Sequence, residues 1–276
     1  AAAAAAATGT AAALAARTED RGPVIQVADL GLAGHALLEH SLDAADNFIE
    51  VGDLRQAATI YEEILMIVPD HPDALYRSGV VYFEAQRIGK ALELFRRGVE
   101  YYKNDARFHR RLGDAQAAML DFTGAVNSYR TALSLVESMG NAHPDLDQDD
   151  LKACGGIALY ASGEKRIAVQ LFRAVLMHNE EHVPALLAYG EALHDNGQSV
   201  DALRVLLKTL IASPDNEFVR AALTRVVIES GGTKLLEDEL EDSPSSAAAL
   251  AFLAMVVRDY GAIDECIDLY RRSLMC

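Results

Sequence analysis

The sequence predicts an all-α solenoid of about seven stacked antiparallel helix pairs. Three observations predict it. The composition holds no Trp and only seven prolines in 276 residues, with Ala and Leu abundant, a mix that favours helices over strands. Segments beginning at Leu38, Pro72 and Ala106 repeat every 34 residues, and the same spacing returns from Asp149 to Val183 and Glu217. Within this frame, small and aromatic residues recur at fixed places, as a packed repeat requires.

The elements follow from the frame in order. Residues 1–37 open with an Ala-rich low-complexity stretch without a basic region, read as a tail and leading segment rather than a signal peptide. Residues 38–139 hold repeats 1–3, and residues 140–148 form an inserted turn-rich loop around Gly140-Asn141-Ala142-His143-Pro144. Residues 149–276 hold repeats 4–7. Repeat 6 loses its pattern after Gly231, so its second helix is expected to be short. The last unit begins near Ala247 and ends soon after Tyr270 without a polar capping helix, so the natural protein is expected to continue.

Each repeat has a physical logic. Position 8 (Ala45, Gly79, Gly113, Gly156, Gly190) and position 20 (Ala57, Ala91, Ala125, Ala168, Ala202, with Cys266 in the last unit) fall mid-helix. There two helices cross closely and only small side chains fit. Position 24 carries Tyr61, Phe95, Tyr129, Phe172, Leu206 and Tyr270, expected to fill the space between one pair and the next. Glycine at position 15 (Gly52, Gly163, Gly197, Gly231, Gly261) ends the first helix in a left-handed turn. Pro69 and Pro214 stop second helices. One pair cannot bury both apolar faces, so pairs must stack.

This pattern resembles the tetratricopeptide repeat family, whose signature places a small residue, an Ala and an aromatic at these positions over 34 residues. The resemblance covers about 38–276 and implies a right-handed superhelix whose first helices line a concave face. Two departures stand out: position 4 is never Trp, and repeat 3 has Gln116 where an aromatic is usual.

Charge and cysteines narrow the function classes. The chain carries 41 acidic and 25 basic side chains, a net charge of −16, which opposes direct contact with nucleic acid or an anionic membrane. Cys154, Cys266 and Cys276 form no C-x-x-C pair and are odd in number, which argues for a reducing compartment. No apolar run reaches the roughly 18 residues of a membrane helix. An intracellular, cytoplasmic setting is expected, with ciliary and organellar settings left open.

Some stretches imitate enzyme motifs. His178-Asn179-Glu180-Glu181-His182 fits the inverted zinc-peptidase pattern, but its histidines are positions 30 and 34 of the frame, across a turn between helix pairs. Gly155-Gly156 followed by Gly163-Glu164-Lys165 lacks phosphate-loop spacing. The acidic run Glu237–Asp242 ahead of Ser243-Pro244 reads as a solvated helix end, with phosphorylation of Ser243 the sharper alternative. No catalytic residue, metal or cofactor is expected.

The candidate site is therefore a partner-binding face. Family positions pointing into the concave side give Tyr76, Val80, Phe83, Ile157, Tyr160, Leu187 and Phe218, an apolar series that marks a contact surface. Arg77, Arg107 and Arg111 join it. Arg107 and Arg111 hold the positions of two basic residues in the family's chaperone-binding clamp, but Leu42, Asp46 and Arg77 depart from the rest of that clamp. The competing reading pairs Arg77 with Asp43 as a surface ion pair.

The expected function is non-catalytic: a scaffold or adaptor that binds a helix or extended peptide of a protein partner, inside a trafficking, ciliary or organelle-assembly complex. The alternatives are the substrate-selecting arm of a larger enzyme, or a co-chaperone with an incomplete clamp.

Overall fold

The computed structural model describes residues 32–138, 146–213 and 215–230, together with 251, 254 and 255. Eleven helices and no strands lie among the described residues. They are α1 Leu32–Glu50, α2 Leu54–Ile67, α3 Pro72–Glu84, α4 Ile88–Tyr101, α5 Ala106–Ala118 and α6 Phe122–Ser138. Then follow α7 Gln148–Ala161, α8 Lys165–His178, α9 Val183–Asp195, α10 Ser199–Ala212 and α11 Glu217–Glu229. The chain divides into two compact units between Leu151 and Lys152, each taken by itself below.

The all-α fold of stacked helix pairs is the predicted one. In the N-terminal unit α1 packs on α2, α3 on α4 and α5 on α6, and α2–α3 and α4–α5 join one pair to the next. Helix α4 shows the rule: Ala91, Leu94, Phe95 and Gly98 form its buried stripe at helical spacing. In the C-terminal unit α9 packs on α10, and α10 on α11, around Leu203, Leu206, Leu210 and Val226.

The repeat frame fixes where helices start and stop. Position 34 supplies the N-cap of four first helices: His71, Asp105, His182 and Asn216 each accept a hydrogen bond from a first-turn amide. The first helices α1, α3, α5, α7 and α9 each end with an amide reaching back five residues, as from Asp53 to the Phe48 carbonyl at 2.8 Å and from Arg87 to Tyr82 at 2.8 Å. Gly52, Gly163 and Gly197 take the left-handed conformation there as expected. Gln86 and Leu120 hold the same position with φ of 59° and 63°, so the closure is kept even where no glycine relieves the Cβ clash. Gly231 and Gly261, the second helix of repeat 6 and nearly all of repeat 7 lie outside the described residues.

One packing expectation is corrected. The position-24 aromatic does not merely fill the space between pairs; it lies across the position-8 glycine of its own pair. A Cβ on Gly79 would stand 2.4 Å from Phe95 Cε1, and one on Gly156 would stand 2.6 Å from Phe172 Cε1. Gln116 also finds its reason: its side-chain carbonyl accepts the Ser128 hydroxyl at 2.6 Å, tying α5 to α6.

Candidate functional site

The six candidates of the N-terminal unit sit on first helices. Helix α3 presents Tyr76, Arg77, Val80 and Phe83, and α5 presents Arg107 and Arg111. Asp105 caps α5 by accepting from the Arg107 amide at 2.9 Å, and its carboxylate also holds the Arg107 guanidinium at 2.8 Å. The cap thus sets the arginine's direction. Arg107 lies 5.4 Å above the centre of the Tyr76 ring and Arg111 5.9 Å from it. Arg111 Nε donates to the Tyr76 hydroxyl at 3.3 Å, and Arg111 also faces Asp114 at 3.4 Å. Tyr76 meets Phe108 edge-to-face at 5.8 Å, and Phe108 is fully buried.

Tyr76, Arg107 and Arg111 are therefore brought into one cluster. Each ring–guanidinium contact contributes about 0.5–1 kcal/mol at such half-exposed sites, enough to hold the arginines in place. Their charge is opposed by Asp105 and Asp114, so an incoming carboxylate must share them with two resident ones. Val80 and Phe83 are half-buried and pack against the core of this unit.

Arg77 stands apart from that cluster. It bonds Asp46 on α1, not the expected Asp43. The reason is that Asp46 is already oriented, because it accepts the buried Tyr61 hydroxyl at 2.7 Å. Burial, with the Asp46 carboxylate beside it, pushes the Tyr61 hydroxyl well above its ordinary range.

In the C-terminal unit, the Tyr160 hydroxyl donates to Asp195 at 2.7 Å, and Lys165 stands 4.9 Å from the Tyr160 ring and 3.6 Å from Asp195. Burial, then Asp195, raises the Tyr160 pKa, and the bond from Tyr160 in turn lowers that of Asp195. Ile157 is 44% exposed and Phe218, in the first turn of α11, is 76% exposed. Leu187 is half-buried against the core of α9–α11. His178 ends α8, while His182 caps α9 through Nδ1, which accepts from the Ala185 amide at 3.2 Å.

Sequence reasoning missed the aspartates that organise these faces, though a signal was present. Tyrosine at position 24 goes with aspartate at position 9: Tyr61 with Asp46, and Tyr129 with Asp114 at 2.8 Å. Where position 24 is phenylalanine, position 9 is apolar: Phe95 with Val80, and Phe172 with Ile157. A buried hydroxyl needs an acceptor and a buried phenyl ring does not.

Residues 48–114 and 155–217 match models of the tetratricopeptide repeat. The chain belongs to the tetratricopeptide repeat family. Among curated relatives, the Vi polysaccharide export protein VexE of Salmonella typhi is 31% identical over 124 residues, 44% of this chain and 19% of that protein. The peroxisomal targeting signal receptor of Kluyveromyces lactis is 28% identical over 131 residues, 47% of this chain and 22% of the receptor. The chain thus spans only those small fractions of the relatives' lengths. Among solved structures, PilW, a type IV pilus biogenesis factor, superposes with a TM-score of 0.62 at 16% identity, over 77% of this chain and 96% of PilW. YrrB, described as a tetratricopeptide repeat protein with an unusual peptide-binding site, gives 0.52 at 20% identity, over 66% and 89%. A repeat protein of Parabacteroides merdae gives 0.58 at 14% identity, over 86% and 92%. At these identities the likeness is one of fold. Tetratricopeptide repeat arrays are in general protein-interaction scaffolds without catalysis of their own. No helix among the described residues is long and apolar enough to cross a membrane.

Proposed function

We propose that this tetratricopeptide repeat chain is a scaffold subunit that holds a helix or extended peptide of a protein partner on the faces made by its first helices. The observation that carries the reading is the Tyr76–Arg107–Arg111 cluster. A half-buried aromatic ring with two fixed guanidiniums presents contact area and directed donors at little entropic cost, which is the make-up of an interface anchor. Phe83 extends the surface along α3. Ile157, Tyr160, Leu187 and Phe218 give the C-terminal unit a comparable set. The peptide-binding site named for YrrB agrees with this use of the fold. Partners inside a trafficking, ciliary or organelle-assembly complex, and an intracellular setting, belong to the same proposal.

Site-specific photocrosslinking tests it. Benzoylphenylalanine replaces Phe83 on the first-helix face or Arg173 on an exposed second helix. The expected result is one dominant protein adduct from position 83, identified by mass spectrometry and suppressed by Arg111→Ala, with little from position 173. Adducts from position 173 alone would overturn the reading.

A further inference from the structure

A groove runs between the second helices α2 and α4, floored by α3. Toward one end it is lined by Leu65 and Met66 of α2, Ser78 of α3, and Leu94 and Arg97 of α4. Toward the other it is lined by Arg55 and Thr59 of α2, Ala85 just past α3, and Arg87 ahead of α4. The two parts meet at Glu62, Tyr82 and Lys90, whose side chains bond one another across the groove. Its α2 wall, from Leu54 to Met66, is about 18 Å long at 1.5 Å per residue.

Three features distinguish this groove from an ordinary crease between helices. The Ser78 hydroxyl is fully buried and has no hydrogen-bond partner, although it lines the channel. Such a group is ordinarily satisfied within the protein or by something that binds. Met66 stands 80% exposed at the lip beside the apolar walls of Leu65 and Leu94. The third feature is charge. Arg55, Arg87, Lys90 and Arg97 outnumber Glu62 and Glu93 along the channel. The chain as a whole carries a net charge of −16.

A basic, partly apolar channel on a strongly acidic protein selects for its opposite. We infer that this groove is a second docking surface, separate from the first-helix face, for a short acidic amphipathic segment of another protein. One apolar side chain seats between Leu65 and Leu94 under Met66. The carboxylates of the segment lie along Arg55, Arg87 and Lys90. Lys90, held by Glu62 and by the Tyr82 hydroxyl at 2.9 Å, is positioned for this exchange. The net negative charge of the chain turns acidic segments away from its acidic surfaces and favours basic ones such as this groove.

The test uses the whole chain and three fluorescein-labelled 14-residue peptides in anisotropy titrations. One repeats Leu-Glu-Glu-Leu, one replaces each Glu by Lys, and one replaces each Leu by Ser. The first peptide is expected to bind, more weakly as salt rises, and to lose at least tenfold affinity with Arg87→Glu/Lys90→Glu. Met66→Glu should act likewise, because it changes an exposed lip and not the core; Tyr76→Ala should leave binding unchanged. Circular dichroism confirms that each variant is folded. Absent binding, equal binding of the Lys or Ser peptide, or insensitivity to the groove variants would overturn the inference. Loss on Tyr76→Ala would move the peptide to the first-helix face and overturn it too. Self-association of the chain, or binding of a 20-base-pair DNA duplex, that Arg87→Glu/Lys90→Glu abolishes would assign the groove to a second copy or to nucleic acid instead. The first-helix reading rests on crosslinks from position 83, so either proposal can fail without the other.

Discussion

Replacing Gly79 by alanine probes the close crossing on which the repeat register depends. The added Cβ would lie 2.4, 2.8 and 2.9 Å from three atoms of the Phe95 ring. That ring is fully buried, so it has nowhere to swing without displacing α4. Overpacking by one methylene costs about 1–3 kcal/mol, whereas the gain in helix propensity from Gly to Ala recovers only about 1 kcal/mol. The net is a loss of up to about 2 kcal/mol. Gly89, in the first turn of α4, is the control: a Cβ there meets nothing within 4 Å. Gly89→Ala should therefore stabilise by about 0.4–1 kcal/mol through the unfolded chain. Urea unfolding of both variants with unchanged m-values reads the difference. Pairing Gly79→Ala with Phe95→Leu should show a coupling of at least about 0.5 kcal/mol, because the smaller, more flexible side chain yields to the methyl. Equal midpoints for Gly79→Ala and Gly89→Ala, or additive behaviour of the pair, would refute the reasoning.

Three further outcomes follow from other contacts. Asp46→Val should cost about 1–3 kcal/mol by leaving the buried Tyr61 hydroxyl unpaired; adding Tyr61→Phe, which copies the Val80–Phe95 pairing of the next repeat, should recover most of it in thermal melts. Leu120→Gly should raise the thermal midpoint, since a left-handed conformation costs a side-chain-bearing residue about 1–2 kcal/mol, while Gly52→Ala should lower it. Burial pushes the His71 pKa below its ordinary 6.5, so the unfolded chain takes up a proton first as pH falls. His71 then contributes stability that is fully present above pH 6.5 and is lost progressively as pH drops through the folded pKa. His71→Asn keeps an α3 cap and should flatten that part of the stability–pH curve.

Much of the fold was legible because tight helix crossings demand small residues at a fixed period. Gly79, Gly113, Gly156 and Gly190 mark those crossings without reference to coordinates. The left-handed turns at Gln86 and Leu120 were not legible, because the five-residue amide closure and packing of the flanking helices hold that conformation against local preference. The site was only partly readable. Spacing placed Tyr76, Arg107 and Arg111 on neighbouring first helices, and they do meet. Arg77 shares their register, yet turns to α1, because Asp46 is fixed by a tyrosine fifteen residues further on. Such a preference lies in a three-body contact, and reading it needs the position-9 and position-24 residues taken together. The outer groove was invisible in the sequence: its walls come from two second helices, and helix packing decides whether the space between them is filled.

The central claim is that partners dock on the first-helix face, and a titration with the protein crosslinked from position 83 tests it most directly. Tyr76→Ala, Phe83→Ala and Tyr160→Ala are compared with Arg173→Glu, each shown to be folded. Truncating a buried aromatic anchor costs about 2 kcal/mol or more, which is about thirtyfold in Kd. The account predicts a loss of that size for Tyr76→Ala and parental affinity for Arg173→Glu. Parental affinity in all three aromatic variants, with binding abolished by Arg173→Glu, would contradict it.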